Sequence, residues 1–83
     1  MRRWEYHSIL LYTDGNLLWP GRWWRRQING QEIPNWKKTE PFASVVTYCN
    51  YMDEQGWDLI GTSYQDSSSC VLLLFKRPYT NKT

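Results

Sequence analysis

The sequence is poor in the residues that build metal and catalytic sites. It has one histidine, His7, and two cysteines, Cys49 and Cys70, among 83 residues. A zinc site needs several nitrogen or sulfur ligands, and this set does not make a complete one. His7 has no recognisable nucleophile partner, and no phosphate-binding loop, nucleophile elbow or metalloprotease motif is present. We therefore expect no metal, no cofactor and no enzymatic activity, with His7 as a structural strand residue.

Disulfides and long apolar runs are equally scarce. Two cysteines are too few for a disulfide framework, and both lie in apolar segments, so we expect reduced core thiols. A Cys49–Cys70 bridge stays open if the helix packs over the strand of Cys70. The longest apolar run, residues 70–75, is too short to span a bilayer, and residues 2–7 do not resemble a secretory signal. These features predict a soluble, cytoplasmic protein that does not contact a membrane.

The sequence also lacks a large excess of one charge sign, since the formal net charge is only +2. Residues 1–38 carry seven Lys and Arg against three acids, whereas residues 39–83 carry three against five. The basic excess is thus confined to the first part of the chain. It favours binding of a small anion, because a nucleic-acid-binding protein usually has a broad positive electrostatic field. We expect an anionic small molecule or nucleotide as partner, and nucleic acid is the least expected one.

Aromatic residues, in contrast, are abundant. Phe, Trp and Tyr make up 17% of the chain, with six tryptophans. Each such side chain buries roughly 150–250 Å², so a few large pieces can build the core of a chain too short to divide into two domains. We predict a single domain over residues 1–83.

The first half of the chain predicts three strands separated by turns. Residues 4–12 are rich in β-branched and aromatic types, and residues 14–16 and 20–21 are turn-forming, with a short extended piece at 17–19. Residues 22–28 and 31–36 flank Asn29-Gly30, a strong hairpin signal. On the first arm, alternation places Trp23, Arg25 and Gln27 on one face and Trp24, Arg26 and Ile28 on the other. Pro34 places the second arm at a sheet edge.

A helix over residues 41–55 and two further strands follow. Thr39 or Glu40 can cap the helix, Pro41 suits its first turn, Ser44 faces water, and Gly56 ends it. Its apolar stripe has helical spacing and consists of Phe42, Val45, Val46, Cys49 and Met52. The strands cover residues 57–64 and 70–77, and the apolar run of the second predicts a central strand with both faces covered.

These elements predict an α+β fold, an antiparallel sheet of about five strands in the order β-β-β-α-β-β with one helix packed on one face. A helix of about 14 residues is roughly 21 Å long, and five strands make a sheet roughly 20–24 Å across. The helix therefore covers about half of one face. The tryptophans must cover the rest, meet another subunit or hold a ligand.

Three short motifs resemble a known family. Residues 4–6 read Trp-Glu-Tyr, residues 54–61 read Glu-Gln-Gly-Trp-Asp-Leu-Ile-Gly, and residues 75–78 read Phe-Lys-Arg-Pro. In this order they are similar to the family known as domain of unknown function 4177, found in bacteria and their phages. The resemblance covers residues 4–12 and 45–78. It implies a compact α+β unit and no particular activity.

The sequence departs from that family in two places. Residues 13–38 form a long segment with four of the six tryptophans and three of the six arginines, and the usual Leu-Asn-x-Leu of the family helix is replaced by residues 48–52. Gly56 and Trp57 belong to the shared part, and we expect Trp57 to anchor the core beneath the helix, with Trp4 also part of the framework. A function is therefore sought in the departing segment.

The candidate ligand site is the aromatic and basic part of that segment. It consists of Trp19, Trp23, Trp24, Arg25, Arg26 and Trp36. Tryptophan can stack a planar ring while a guanidinium holds phosphate or carboxylate in a bidentate way. The alternative is that these rings pack on each other, or across a dimer interface, with arginine stacked over them.

Three candidate functions follow from these observations. The first is a non-enzymatic module, a homo-oligomer that binds a nucleotide or another anionic aromatic molecule between tryptophan and arginine, with sequestration of that molecule as one use. The second is a protein–protein interaction or self-assembly module, in which the aromatic surface is an interface. Nucleic-acid binding comes third.

Overall fold

The computed structural model describes residues 3–15, 21–65 and 69–79. The elements are, in chain order, β1 (Trp4–Thr13), β2 (Trp23–Ile28), β3 (Gln31–Glu32), a 3₁₀ helix (Trp36–Lys38), α1 (Val45–Glu54), β4 (Asp58–Gln65) and β5 (Cys70–Pro78). This confirms the predicted α+β fold and its order of strands around one helix. The short extended piece predicted at residues 17–19 lies outside the described residues, as does most of the predicted loop at 65–69.

The five strands form one antiparallel sheet in the order β3-β2-β1-β5-β4. β1 and β5 pair along almost their whole length, from Trp4 opposite Pro78 to Tyr12 opposite Cys70. β5 is therefore a central strand, as predicted. Because of this order, β3 and β4 are the two edges of the sheet.

The core lies between one face of the sheet and α1. Its buried members come from β1, β5, α1 and the turn that follows the helix, and they are Ile9, Leu11, Tyr48, Met52, Trp57, Val71, Leu73 and Phe75. Trp23 and Phe42 are partly buried and pack against this core. Burial raises the pKa of Tyr48 to about 12, as expected when a phenol is removed from water.

The helix begins later than the sequence predicts. Ser44, not Thr39 or Glu40, is its N-cap, and its side chain accepts a hydrogen bond of 3.0 Å from the Thr47 N–H. Pro41 lies outside the helix because the next residue is held in an extended bridge. Phe42 and Trp23 exchange backbone hydrogen bonds of 2.7 and 2.8 Å, and a residue paired in this way cannot join a helical turn.

The end of the helix matches the prediction. Gly56 has a φ of 86°, the left-handed conformation that commonly ends a helix. The Trp57 N–H then bonds to the Met52 carbonyl at 3.0 Å. This turn directs the buried indole of Trp57 beneath α1, so its predicted role as a core anchor is confirmed.

The hairpin at Asn29-Gly30 is also confirmed, with φ values of 50° and 83°. Its second strand is shorter than predicted, since β3 ends at Glu32. Pro34 follows at the sheet edge, and Asn35 has a φ of 55°. That left-handed residue turns the chain into the 3₁₀ helix, so Trp36 leaves the strand direction.

A β-bulge changes the faces of two residues in β2. Gln27 pairs with Leu10 and Arg25 pairs with Leu11, which leaves Arg26 as the extra residue. Strict alternation is thereby interrupted. Ile28 packs against the core, and Gln27 lies on the opposite face, the reverse of the prediction for both.

The second face of the sheet is covered by described residues at its β2 end, where Trp36 lies over Tyr12 and Trp24, but it is left open around Leu72 and Leu74. Leu72 and Leu74 lie on it with exposed fractions of 36% and 39%, so the prediction that both faces of β5 are covered is wrong. We call this surface the open face. Its apolar members on β1 and β5 are Trp4, Tyr6, Leu10, Tyr12, Leu72 and Leu74.

Trp4 lies on the open face at the end far from β3, not in the core, although the sequence favoured a framework role. The Lys76 ammonium lies 4.2 Å from the centroid of its ring.

In the parts of the chain that the structure describes, no helix is both long and apolar enough to cross a bilayer.

Candidate functional site

Four side chains form an aromatic cluster on the open face beside the β2–β3 hairpin. The pairing of β1 with β2 places Tyr12 opposite Trp24, and the bulge keeps Arg26 on the same side. The 3₁₀ helix brings Trp36 over all three. We use the name aromatic cluster for Tyr12, Trp24, Arg26 and Trp36.

The rings of the cluster meet edge to face. The centroid of Trp36 lies 5.1 Å from that of Tyr12 at an interplanar angle of 68°, and 6.5 Å from that of Trp24 at 66°. This is the preferred geometry of aromatic pairs. These ring pairs leave no parallel slot, so a planar ligand could be sandwiched between them only after one ring had turned.

Arg26 is held by three neighbours. Its guanidinium carbon lies 5.4 Å from the Trp36 centroid and 5.8 Å from the Tyr12 centroid. Its Nε donates to Oε1 of Glu32 at 3.2 Å. The arginine is therefore stacked over the rings and paired with an acid, which is the packing alternative that the sequence left open.

Trp24 has an unusual polar atom. Its indole Nε1 is buried and has no hydrogen-bond partner among the described residues. An indole nitrogen can only donate, and an unpaired buried donor costs about 1–3 kcal/mol. Trp24 also borders an open concavity of about 820 Å³ whose other lining residues are Asp14, Gly21, Arg22, Glu40, Pro41, Phe42 and Ala43.

The other predicted site residues lie elsewhere. Trp23 packs against the core on the helix side of the sheet. Arg25 lies on that side too, with its guanidinium carbon 5.9 Å from the Phe42 centroid. Trp19 lies outside the described residues. Of the six, the structure thus brings together Trp24, Arg26 and Trp36.

Sequence reasoning missed two contributors to this site, Tyr12 and Glu32. A signal for Glu32 was present, because a two-residue turn at Asn29-Gly30 places it opposite Gln27, next to Arg26. Tyr12 could be placed only after the register between β1 and β2 was known. That register depends on a contact far apart in sequence.

The remaining reactive residues are separate from one another. His7 lies against Trp57 with ring centroids 5.1 Å apart, and burial, with a smaller effect of the nearby Arg77 charge, lowers its pKa. Within the described ranges, no group of three or more His, Cys, Asp or Glu is placed to hold a metal ion.

Both cysteines are free thiols, so the bridge that the sequence left open is not formed. Cys70 lies opposite Tyr12 on β5, whereas Cys49 lies on α1 across the sheet. Burial raises the pKa of the Cys49 thiol, which lowers its reactivity.

Comparison of the chain with protein-family models gave no match, and comparisons with curated proteins and with solved structures gave none either. The resemblance to the family known as domain of unknown function 4177 therefore stays a prediction.

Proposed function

We propose that the chain is a non-enzymatic interaction module that associates with a second copy of itself through the open face. The observation that carries this proposal is the exposure of large apolar side chains on the central strands. Tyr6 is 61% exposed, and Leu72 and Leu74 share its surface. Contiguous exposed apolar patches of this kind mark interaction sites.

The apolar residues are contiguous across the two central strands. Leu10 lies opposite Leu72, and Tyr12 continues the same face along β1. A shallow concavity of about 330 Å³ borders this centre, lined by Ser8, Leu10, Gln27, Gly30, Gln65 and Leu72. The surface thus has an apolar centre with polar margins, the usual pattern of an interface.

The face is large enough to supply most of a dimer contact. The five strands hold 35 residues in all, and at about 3.4 Å per residue and 4.8 Å between strands the sheet presents roughly 570 Å² in projection. A standard interface buries about 800 Å² of accessible surface per partner, and side chains that project from the face raise its accessible area above its projection. Two such sheets can pack face to face at about 10 Å.

Charge balance favours a second copy over a charged partner. In a two-fold dimer a surface meets itself, so an unbalanced charge would oppose its own image. On the open face Arg26 bonds to Glu32, and Lys76 lies opposite Asp58. Arg26 and Lys76 therefore each have a neighbouring acid, whereas Lys37 lies over the Trp36 ring.

Sedimentation velocity tests this proposal. The wild type should associate as its concentration rises, and Leu72→Glu should abolish association through this face while leaving the circular dichroism spectrum unchanged. Val46→Glu is the matched control, since Val46 is exposed on α1, on the other side of the sheet. A wild type that stays monomeric at every concentration contradicts the proposal.

A small anionic aromatic ligand is the second candidate. It is supported by the unpaired Nε1 of Trp24, which needs an acceptor, whereas the adjacent concavity is lined by one cation, Arg22, and by two acids, Asp14 and Glu40, that oppose an anion. A nucleotide combines a ring with anionic acceptors. Against it, Arg26 is already bonded to Glu32.

Thermal shift measurements with a nucleotide panel test the second candidate. A bound nucleotide should raise the melting temperature, and Arg26→Ala should remove the shift. Arg25→Ala is a matched control, because Arg25 lies on the other face and should not change the shift. The absence of any shift with any nucleotide rejects this candidate.

The two free thiols of Cys49 and Cys70 support a cytoplasmic location, since reducing compartments keep thiols unpaired. This location is part of the proposal. Nucleic acid remains the least supported partner.

A further inference from the structure

The edge formed by β4 is long and exposed. β4 has eight residues and, among the strands that the structure describes, pairs only with β5. All of its residues except Gly61 are exposed, and they include the apolar side chains of Leu59, Ile60 and Tyr64. A long unpaired edge presents a row of backbone donors and acceptors to any other strand.

This edge lacks most of the features that prevent strand pairing. β4 contains no proline and no lysine, and its single charged residue is Asp58 at its first position. A bulge at Ile60 disturbs the pairing with β5, but from Gly61 to Gln65 the register is regular. The opposite edge differs, since β3 has two residues and Pro34 follows it.

We infer that β4 pairs with β4 of a second copy in antiparallel fashion, about a two-fold axis at Ser63, to form a continuous ten-stranded sheet. The inference deepens the proposed self-association but uses a different surface, so each can fail without the other. Ser63 is the midpoint of the regular segment, and pairing centred there uses all of that segment in both copies.

This register is self-complementary. Thr62 lies opposite Tyr64 of the second copy, and by the two-fold symmetry Tyr64 lies opposite Thr62 of that copy. Both residues lie on the helix side of the sheet, opposite Leu73 and Val71 of β5, where aromatic and β-branched pairs stabilise antiparallel strands.

No like charges oppose each other in this arrangement. The partner of Asp58 lies beyond the overlapping segment, so the two acids stay apart. Gly61 lies opposite Gln65 of the second copy, and the two Ser63 side chains meet on the axis. Centring the pair on Thr62 would instead place Tyr64 against the bulged Ile60, which argues against that register.

The edge and the open face generate a defined assembly. The axis that joins two β4 strands is perpendicular to the sheet, whereas the axis of face-to-face packing lies parallel to it. Two perpendicular two-fold axes that intersect produce a closed tetramer. Four chains then bury both the open face and the β4 edge.

Opposite charges at Ser63 test the register. Ser63→Lys places two lysine side chains opposite each other across the axis, with Cβ atoms about 5 Å apart, and Ser63→Asp does the same with two aspartates. The like charges should weaken edge pairing of each variant alone by at least about tenfold. Mixing the two variants should restore it as a one-to-one heterodimer, which native mass spectrometry identifies by mass. Asn50→Lys, an equally exposed change on α1, is the control for charge.

Hydrogen exchange of the full-length wild type separates this inference from the proposed open-face contact. Amides in residues 61–65 should become protected as concentration rises, in the wild type and also in Leu72→Glu, which retains the edge. Exchange in this segment that does not depend on concentration overturns the inference, even if the open face associates. Failure of the mixed Ser63 variants to form a heterodimer overturns it as well. The inference is also overturned if the amides of residues 61–65 become protected only when an unrelated extended peptide is added to the protein.

Discussion

The guanidinium carbon of Arg77 lies 4.2 Å from the centroid of the Trp57 ring. The same arginine donates from Nε to Oε1 of Glu5 at 3.0 Å, and the ring of His7 packs against the same indole. The turn at Gly56 is therefore fixed by contacts from both β1 and β5. These contacts make the junction part of the framework and separate it from the aromatic cluster.

His7 gives this framework a pH dependence. Its pKa is lowered from 6.5 by burial and, less strongly, by Arg77, so the folded protein binds this proton more weakly than the unfolded chain. Stability is fully present above about pH 6.5 and is lost as the pH falls through that value toward the lowered pKa. Urea unfolding across this range should show the loss, and His7→Gln should reduce it. Equal slopes for both proteins would contradict this prediction.

Gly56 should be sensitive to substitution for a conformational reason alone. Its φ is 86°, and no atom lies within 4 Å of an added Cβ, so Gly56→Ala introduces strain without a clash. We expect a loss of about 1–2 kcal/mol, seen as a melting temperature lowered by roughly 4–16 °C.

Gly61→Ala is the matched control for Gly56. Its added Cβ would meet the Leu74 Cβ at 3.9 Å, an ordinary contact, and Gly61 does not have a positive φ. Its stability should change by less than about 0.5 kcal/mol or rise slightly. Equal losses at both glycines would show that side-chain bulk, rather than backbone conformation, decides the effect.

Ser44 should be the residue that caps α1. Ser44→Ala removes the acceptor for the Thr47 N–H and should lower the free energy of unfolding by about 0.5–2 kcal/mol. Ser44→Asp keeps an acceptor at the same position and should retain wild-type stability. Chemical denaturation measures both variants, and no loss in Ser44→Ala would mean that another group caps the helix.

The sequence predicts the elements whose signals are local. Asn29-Gly30 identifies a turn and Gly56 a helix end, because each needs a backbone conformation that few residues adopt. The start of α1 could not be predicted, since the bridge between Trp23 and Phe42 joins segments 19 residues apart (42 minus 23). A long-range contact overrode the favourable local signals of Pro41 and its neighbours.

The candidate site was predictable only where its signals are local in the sequence. Alternation along a strand places Trp24 and Arg26 on one face. The β-bulge that moves Gln27 and Ile28 to opposite faces has no clear sequence signal. The approach of Trp36 depends on the left-handed Asn35. The sequence of β5 suggests a strand buried on both faces, because an apolar run does not show whether a face is covered within the chain or left exposed.

Arg26 should contribute more through the rings than through its ion pair. The Arg26 and Glu32 side chains are 38% and 57% exposed, and solvent screening limits such a pair to about 0–1 kcal/mol. Stacking over Trp36 at 5.4 Å should contribute about 0.5–1 kcal/mol or more. Double-mutant cycles with Arg26→Met, Glu32→Gln and Trp36→Leu measure both coupling energies.

Salt separates the two contributions of Arg26 further. Raising the ionic strength to about 1 M shortens the screening length to roughly 3 Å, so the coupling with Glu32 should fall, while the coupling with Trp36 should persist because it includes close packing. The opposite pattern, a larger and salt-resistant coupling to Glu32, would mean that the cluster is organised by the acid. Ligand binding through Arg26 would then require that ion pair to break, which weakens the second candidate function further.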